Sequence, residues 1–168
     1  MTSNSTIAYI GIGSNLGDKI SNCRRAIEEM GHVPGCQVAA CSALFKTEPE
    51  GVIEQDWFIN CVSKVTTERS PIQLIKALLS IEHAMGRRRR KRWEARIIDL
   101  DILLFGQEVM RSHDLVIPHP LLHKRRFVLE PLAQLAPDLI HPVLKTTIGQ
   151  LLHGLPKGPS VDYAGELV

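Results

Sequence analysis

The sequence predicts an α+β domain with the ferredoxin-like βαββαβ element order, an antiparallel sheet with helices packed on one face and short C-terminal additions. Three observations support that prediction. The chain has 168 residues, 44% hydrophobic and 23% charged, the size and composition of one globular domain spanning residues 1–168. β-branched segments alternate with stretches of helical apolar spacing in the order β-α-β-β-α-β. Capping residues, glycines and prolines punctuate those segments, and there is no repeat, low-complexity tract or interdomain linker.

Taken in order, Thr6 to Gly13 is rich in β-branched and aromatic residues and reads as a strand. It runs into Gly13-Ser14-Asn15-Leu16-Gly17-Asp18, where Asn15 or Asp18 can cap the following helix. Ile20, Cys23, Ala26, Ile27 and Met30 recur at helical spacing, and Gly31 stops that helix. Residues 37–47 and 57–66 are β-like, separated by Glu48-Pro49-Glu50-Gly51. Ser70-Pro71 is a cap followed by a first-turn proline, and behind it Ile72, Leu74, Ile75, Leu78, Leu79 and Ile81 build an apolar face up to Gly86. A strand is predicted from Ile97 to Phe105, followed by short proline-punctuated pieces and a helix from Thr147 to His153. The Pro/Gly-rich tail from Gly154 is expected to be loose.

Several function classes are disfavoured at once. No stretch approaches the ~18 apolar residues of a membrane span, and the first residues lack the cationic start and apolar block of a secretory signal. A cytoplasmic location with no membrane partner is expected. The four cysteines, Cys23, Cys36, Cys41 and Cys61, are unpaired in spacing and read as reduced thiols acting as small core hydrophobes.

Charge is unevenly placed. The net charge is +2, yet residues 87–96 hold seven basic groups and one acid, while the other 158 residues carry 13 basic and 17 acidic groups. A mildly acidic body therefore bears one strongly basic arm, which calls for an anionic partner. Directly after it comes Ile97-Ile98-Asp99-Leu100-Asp101-Ile102. In a strand Asp99 and Asp101 share one face, about 7 Å apart, while Ile98, Leu100 and Ile102 point to the core. Two carboxylates so placed repel one another, and a divalent cation resolves the conflict. Hard oxygen ligands suit Mg²⁺, which takes its remaining ligands from water and phosphate. The competing explanation, an exposed edge strand answering nearby arginines, loses ground because the acids follow so closely on the basic arm.

The early glycines are not a dinucleotide fingerprint, because the Gly-x-Gly-x-x-Gly register fails at Leu16, and no Gly-Lys-Ser/Thr follows. They are expected to serve the tight turn from strand to helix. His119, boxed by Pro118 and Pro120, begins a second cationic cluster with His123, Lys124, Arg125 and Arg126. A zinc pair of His119 and His123 is disfavoured, since Pro120 interrupts a common helix and no third ligand follows. Contact with phosphate suits His119 better.

Arg92-Trp93-Glu94-Ala95-Arg96-Ile97-Ile98-Asp99-Leu100-Asp101-Ile102-Leu103 resembles the signature of the 6-hydroxymethyl-7,8-dihydropterin pyrophosphokinase family of folate biosynthesis. Gly13-Ser14-Asn15-Leu16-Gly17, Phe58-Ile59-Asn60, Glu82 with Gly86-Arg87, and Pro118-His119 with Arg125 and Phe127 resemble its other motifs, in order, over about 130 residues. The resemblance implies transfer of the β,γ-pyrophosphoryl group of ATP to the pterin hydroxymethyl oxygen, leaving AMP. It implies two Mg²⁺ ions held by Asp99 and Asp101, with Arg87 and Arg96 on the polyphosphate. It also implies nucleotide contacts from Glu82, Arg89, Trp93, Ile102, His119 and Arg125. Phe58 and Phe127 would sandwich the pterin, Asn60 would read its edge, and Thr47, Trp93 and Asp99 would add contacts. Trp93 is placed to close over the substrates as a lid.

Two departures stand out. Glu94-Ala95 occupies the position where the family commonly has a Gly-Pro-like pair, and Asp114 stands where some members have a nucleotide arginine. Asp114 is accordingly given no role. A small RNA- or DNA-binding domain using the run 87–92 is the alternative. Only 5% of residues are aromatic, no RNP-like strand motif is present, and the paired aspartates would repel nucleic-acid phosphates, so no nucleic-acid partner is expected. Nothing in the sequence calls for an oligomer, and a monomer is expected.

Overall fold

In the computed structural model the described residues are 4–48, 56–87, 95–158 and 161–167. Strand β1 (Thr6–Ser14) leads into helix α1 (Lys19–Gly31), followed by β2 (Cys36–Cys41), β3 (Leu44–Thr47) and β4 (Phe58–Thr67). Helix α2 (Pro71–Ala84) and strand β5 (Asp99–Phe105) complete the βαββαβ order. The additions are β6 (Met110–Arg111), β7 (Val116–Ile117), a short 3₁₀ turn, α3 (Arg126–Leu135), α4 (Ile148–His153) and β8 (Val161–Gly165).

The sheet runs β5-β1-β4-β3-β8, antiparallel throughout, with β2 also paired to β4. Without β8 this is the ferredoxin-like strand order. Local chemistry sets the helix starts as anticipated. Asp18 caps α1, its carboxylate accepting from the Ser21 N–H at 3.1 Å. Ser70 and Gln73 form a reciprocal capping box at α2.

Alternation along the strands divides the interior in two. Ala8, Ile10, Ile12, Ile59, Cys61, Leu100 and Ile102 point to one face, where α1 and α2 cover them. Tyr9, Val62, Leu103 and Leu104 point to the other, under α3 and α4. Helices thus cover both faces rather than the single face expected from the core order. The unanticipated cover is chiefly α3, a helix that contains Pro131. A proline lacks the N–H that would bond the carbonyl four residues back, so it reads as a breaker, yet burial of Val128, Leu129 and Leu132 outweighs the lost bond.

Two further differences have local causes. The predicted strand 37–47 breaks at Ser42-Ala43. There the Ser42 hydroxyl accepts from the Val62 N–H at 2.9 Å, and the Ala43 N–H donates to Gln134 Oε1 on α3 at 2.6 Å. The tail, expected to be loose from Gly154, returns to the sheet as β8, paired to β3 through Val161↔Thr47 and Phe45↔Tyr163. Main-chain pairing is available to any extended segment, so composition did not reveal it.

Candidate active site

The face under α3 carries the chemistry. The register places Asp99 opposite Gly13, Gly13 opposite Asn60, and Asn60 opposite Phe45. Asp101 lies opposite Gly11 one step along. The acids therefore sit beside a strip with no side chains, and the glycines are needed there for a steric reason. A Cβ on Gly13 would lie 2.6 Å from Asn60 Oδ1, and one on Gly11 would lie 3.2 Å from a Leu103 methyl. The turn role expected of these glycines falls to Gly17, whose φ is +73°; Gly11 and Gly13 lie within β1.

Charge is layered around Asp99. Arg87 Nη1 lies 2.8 Å from Asp99 Oδ1, and Arg96 Nη1 lies 3.0 Å from Asp99 Oδ2. The same Arg87 nitrogen is 2.7 Å from Glu82 Oε2. Glu82 is 2% exposed, and its Oε2 also accepts from the Leu100 N–H at 2.7 Å. The resemblance puts Glu82 on the nucleotide; among the described residues its carboxylate meets Arg87 and the β5 backbone.

Asp101 is placed differently. It is half-buried, and among the described residues its carboxylate has no hydrogen bond or ion pair. Burial is the largest influence on its pKa, followed by the neighbouring charges of Asp99 and Glu82. Against the pull of Arg87 and Arg96 these push it up to about 7. Two hard oxygen groups on one strand face, one held by arginines and the other unmatched, form a donor set suited to Mg²⁺ beside phosphate. Among the described residues no group of three or more His, Cys, Asp and Glu side chains is arranged to hold a metal ion. That is compatible with a cation that takes most of its ligands from water and substrate.

His119 reaches the site through an irregularity in the sheet. Between Tyr9↔Leu104 and Ile10↔Ile102 the register shifts, leaving Leu103 as an extra residue. The Leu103 carbonyl accepts from the His119 N–H at 3.0 Å, docking the Pro118-His119 turn on β5. His119 Nδ1 accepts from the Leu121 N–H at 3.1 Å. Burial, then Arg125, lowers its pKa against the opposing pull of Asp99. The imidazole is therefore neutral, with its proton on Nε2. Arg125 lies over the Phe127 ring at 5.4 Å, at the start of α3.

Asn60 is fixed by its neighbour, donating from Nδ2 to Thr47 Oγ1 at 2.6 Å. Phe58 is half-buried on the same strand face, and α3 with Phe127 packs above it on that side of the sheet. The Ile102 side chain lies in the core on the opposite face, so only its backbone can approach a nucleotide. Asp114 is exposed beside His113 in the segment joining β6 to β7. Arg89, Trp93 and Glu94 lie outside the described residues.

One further contributor is, by sequence, a possible helix cap within the Gly-Ser-Asn-Leu-Gly motif. Asn15, 1% exposed, accepts from the Arg96 N–H at 2.6 Å and donates its own N–H to the Arg96 carbonyl at 3.0 Å. Its Nδ2 reaches the Asp56 carbonyl at 3.4 Å. It thus joins the end of β1 to the approaches of β4 and β5. The Gly-Ser-Asn-Leu-Gly motif was the available signal, but the partners lie too far away in sequence to be inferred.

The family model described as 7,8-dihydro-6-hydroxymethylpterin-pyrophosphokinase matches residues 9–137. A 2-amino-4-hydroxy-6-hydroxymethyldihydropteridine pyrophosphokinase of Methylorubrum extorquens is 44% identical over 135 residues, covering 80% of this chain and 85% of the relative. The Haemophilus influenzae protein of the same name is 38% identical over 135 residues, covering 80% and 84%. A folic acid synthesis protein of Dictyostelium discoideum is 38% identical over 155 residues, 92% of this chain but 23% of that longer protein. In structure, wild-type Plasmodium falciparum HPPK-DHPS superposes with a TM-score of 0.73 at 16% identity, covering 90% of this chain and 45% of that one. That likeness supports the fold.

The electrostatics give a stability prediction with a definite sign. The Asp101 carboxyl titrates near 7 when folded and near 3.8 as a free side chain. Between those values the unfolded chain has released a proton that the folded chain retains, so stability falls as pH rises, and the full penalty applies above about 7. Asp101→Asn removes that penalty. Without divalent cations, its gain in urea midpoint over wild type is expected to be larger at pH 8 than at pH 5. An equal gain at both would contradict the assigned titration.

Proposed function

The chain belongs to the 7,8-dihydro-6-hydroxymethylpterin-pyrophosphokinase family, and from that premise we propose how its α3-side sheet face conducts the reaction. The enzyme moves the β,γ-pyrophosphoryl group of ATP to 6-hydroxymethyl-7,8-dihydropterin in folate biosynthesis. The pterin hydroxymethyl oxygen bonds to the β-phosphorus, the bond from that phosphorus to the oxygen bridging the α-phosphate breaks, AMP leaves, and the hydroxyl proton is released. The observation that best supports the site assignment is the unmatched Asp101 beside an arginine-held Asp99, in line with the Asn60–Thr47 pair.

In this reading Asp99 and Asp101 hold two Mg²⁺ ions. Bound there, Mg²⁺ supplies positive charge against the phosphates and polarises the pterin hydroxyl. The chain's own residues do the positioning. Arg87 and Arg96, already on Asp99, extend their remaining N–H groups to the polyphosphate and stabilise charge on the transferring group. The Glu82 carboxylate keeps Arg87 from swinging away. His119, neutral with Nε2–H outward, donates to the nucleotide together with Arg125. Phe58 and Phe127 bound the flat pterin, and Asn60 reads its amide-and-amine edge with the Oδ1 and N–H that Thr47 leaves open. Arg89 and Trp93 add contacts from the basic arm. Because phosphoryl transfer rests on positioning and electrostatics, no side-chain nucleophile is required.

The same reading has the protein acting as a cytoplasmic monomer with neither nucleic-acid nor membrane partners. Among the described residues no helix is long and apolar enough to cross a membrane. The nucleic-acid alternative is disfavoured by the half-buried aspartates lining the face that the basic residues approach.

Asp99→Asn and Asp101→Asn are each expected to lower kcat by on the order of 100-fold or more while circular dichroism shows a folded chain. Pterin-dependent AMP release within tenfold of wild type in both would overturn the metal assignment.

Phe58→Ala is expected to weaken pterin binding by about 5- to 100-fold, as loss of a stacking face does, and to change nucleotide affinity little. Titration calorimetry with each ligand distinguishes this from a packing defect, which would weaken both alike.

A further inference from the structure

The family match ends at residue 137, and β8 lies beyond it. Strand register nevertheless carries the site's own row out to β8. Asp99, Gly13, Asn60 and Phe45 stand opposite one another on successive strands, and the next residue in that line is Tyr163. Five strands at about 4.8 Å spacing put Asp99 and the tyrosine on one continuous rank, roughly 19 Å from end to end. Tyr163 meets Phe45 edge to face, ring centroids 6.4 Å apart at 84°. Its hydroxyl donates to Glu166 Oε1 at 3.1 Å. Beyond the strand, the Leu167 carbonyl accepts from Arg24 Nε on α1 at 3.1 Å, fastening the far end.

We propose that β8 is a positioning strand for the pterin pocket, with Tyr163 holding Phe45 and thereby keeping Thr47 in place to orient the Asn60 amide. This rests on the reading that Asn60 recognises the pterin. The physical reason is the weakness of β3 by itself. It has four residues and ends at Thr47. A strand so short frays when it forms a sheet edge. Pairing of Val161 with Thr47 and of Tyr163 with Phe45 makes β3 an interior strand instead. The effect falls on one hydrogen bond. Asn60 Nδ2 donates to Thr47 Oγ1 at 2.6 Å, which leaves Oδ1 over the bare Gly13. An amide that loses this acceptor can turn over and exchange donor for acceptor at the pterin edge. Asp99, Arg87 and Arg96 at the other end of the rank are paired with one another and with Glu82 on α2, so nucleotide binding does not depend on β8.

The test uses the full chain and three variants: Tyr163→Ala, Tyr163→Phe, and a truncation after Gly158. Dissociation constants are measured for the dihydropterin, with a non-hydrolysable ATP analogue and Mg²⁺ present, and separately for the analogue. Tyr163→Ala is expected to weaken pterin binding roughly three- to tenfold, in keeping with the strength of an aromatic pair. Nucleotide affinity should stay within twofold, and Tyr163→Phe, which retains the ring, should restore pterin binding. The truncation should weaken pterin binding further; if it does not fold, Tyr163→Ala decides. Unchanged pterin affinity in a folded Tyr163→Ala, or equal weakening of both ligands, overturns the proposal. Asn60→Ala separates the two levels. If it leaves pterin binding intact, the pocket reading fails and this inference with it. If it weakens pterin binding while Tyr163→Ala does not, only the inference fails.

Discussion

A carboxylate that is almost fully buried must be satisfied from within the protein, because no water is available to offset its charge. Glu82 meets that requirement in part through the Arg87 guanidinium and the Leu100 N–H. Much of the site's arrangement follows. The bond to Leu100 ties the last turn of α2 to the start of β5. The bond to Arg87 fixes the first residue of the basic arm against the acidic strand. Arg87 then spends part of its charge on Asp99, Arg96 answers the other oxygen of the same carboxylate, and Asp101 is left unmatched. Removing one partner of such a buried pair typically costs about 3–5 kcal/mol, so the arrangement is hard to alter piecemeal.

The second constraint is absence of bulk. The sheet face under α3 is walled by large residues, Tyr9, Leu104, Val128 and Leu129 among them. Around Gly11 and Gly13 it is bare backbone. Asn60 and Leu103 lean into the space those glycines leave, so the strip is shaped by its neighbours as well as open to a ligand. A flat heterocycle and a polyphosphate chain both need a shallow, unobstructed surface with polar groups at its margins. This face supplies one, with acids and arginines along one side and an amide–hydroxyl pair along the other.

Precision in such a site comes from elements that carry none of its chemistry. The bulge at Leu103 exposes a carbonyl that docks the His119 turn. Asn15 joins the approaches to β4 and β5, and β8 turns a four-residue edge strand into an interior one. The bulge and β8 use main-chain hydrogen bonds, which hold position without regard to side-chain identity, and so escape a reading by motif. Asn15 adds its side-chain amide, whose partners Arg96 and Asp56 are distant in sequence.

The sequence alone determined the βαββαβ core, the start of α1 near Asp18 and of α2 at Ser70, and the shared face of Asp99 and Asp101. All of these rest on periodicity or on contacts within a few residues, which spacing encodes directly. It also brought together the residues that resemble the pyrophosphokinase motifs, because those motifs are short and contiguous. What it did not determine depends on partners far along the chain. Glu82 became a buried holder of Arg87 because folding brings α2 against β5. The helix containing Pro131 formed because burial of its apolar face outweighs one missing hydrogen bond. Tyr163 joined the rank of Asp99 and Asn60 through strand register, a property of the assembled sheet. Only the tertiary structure could decide these, since each depends on which distant surface is left to be covered.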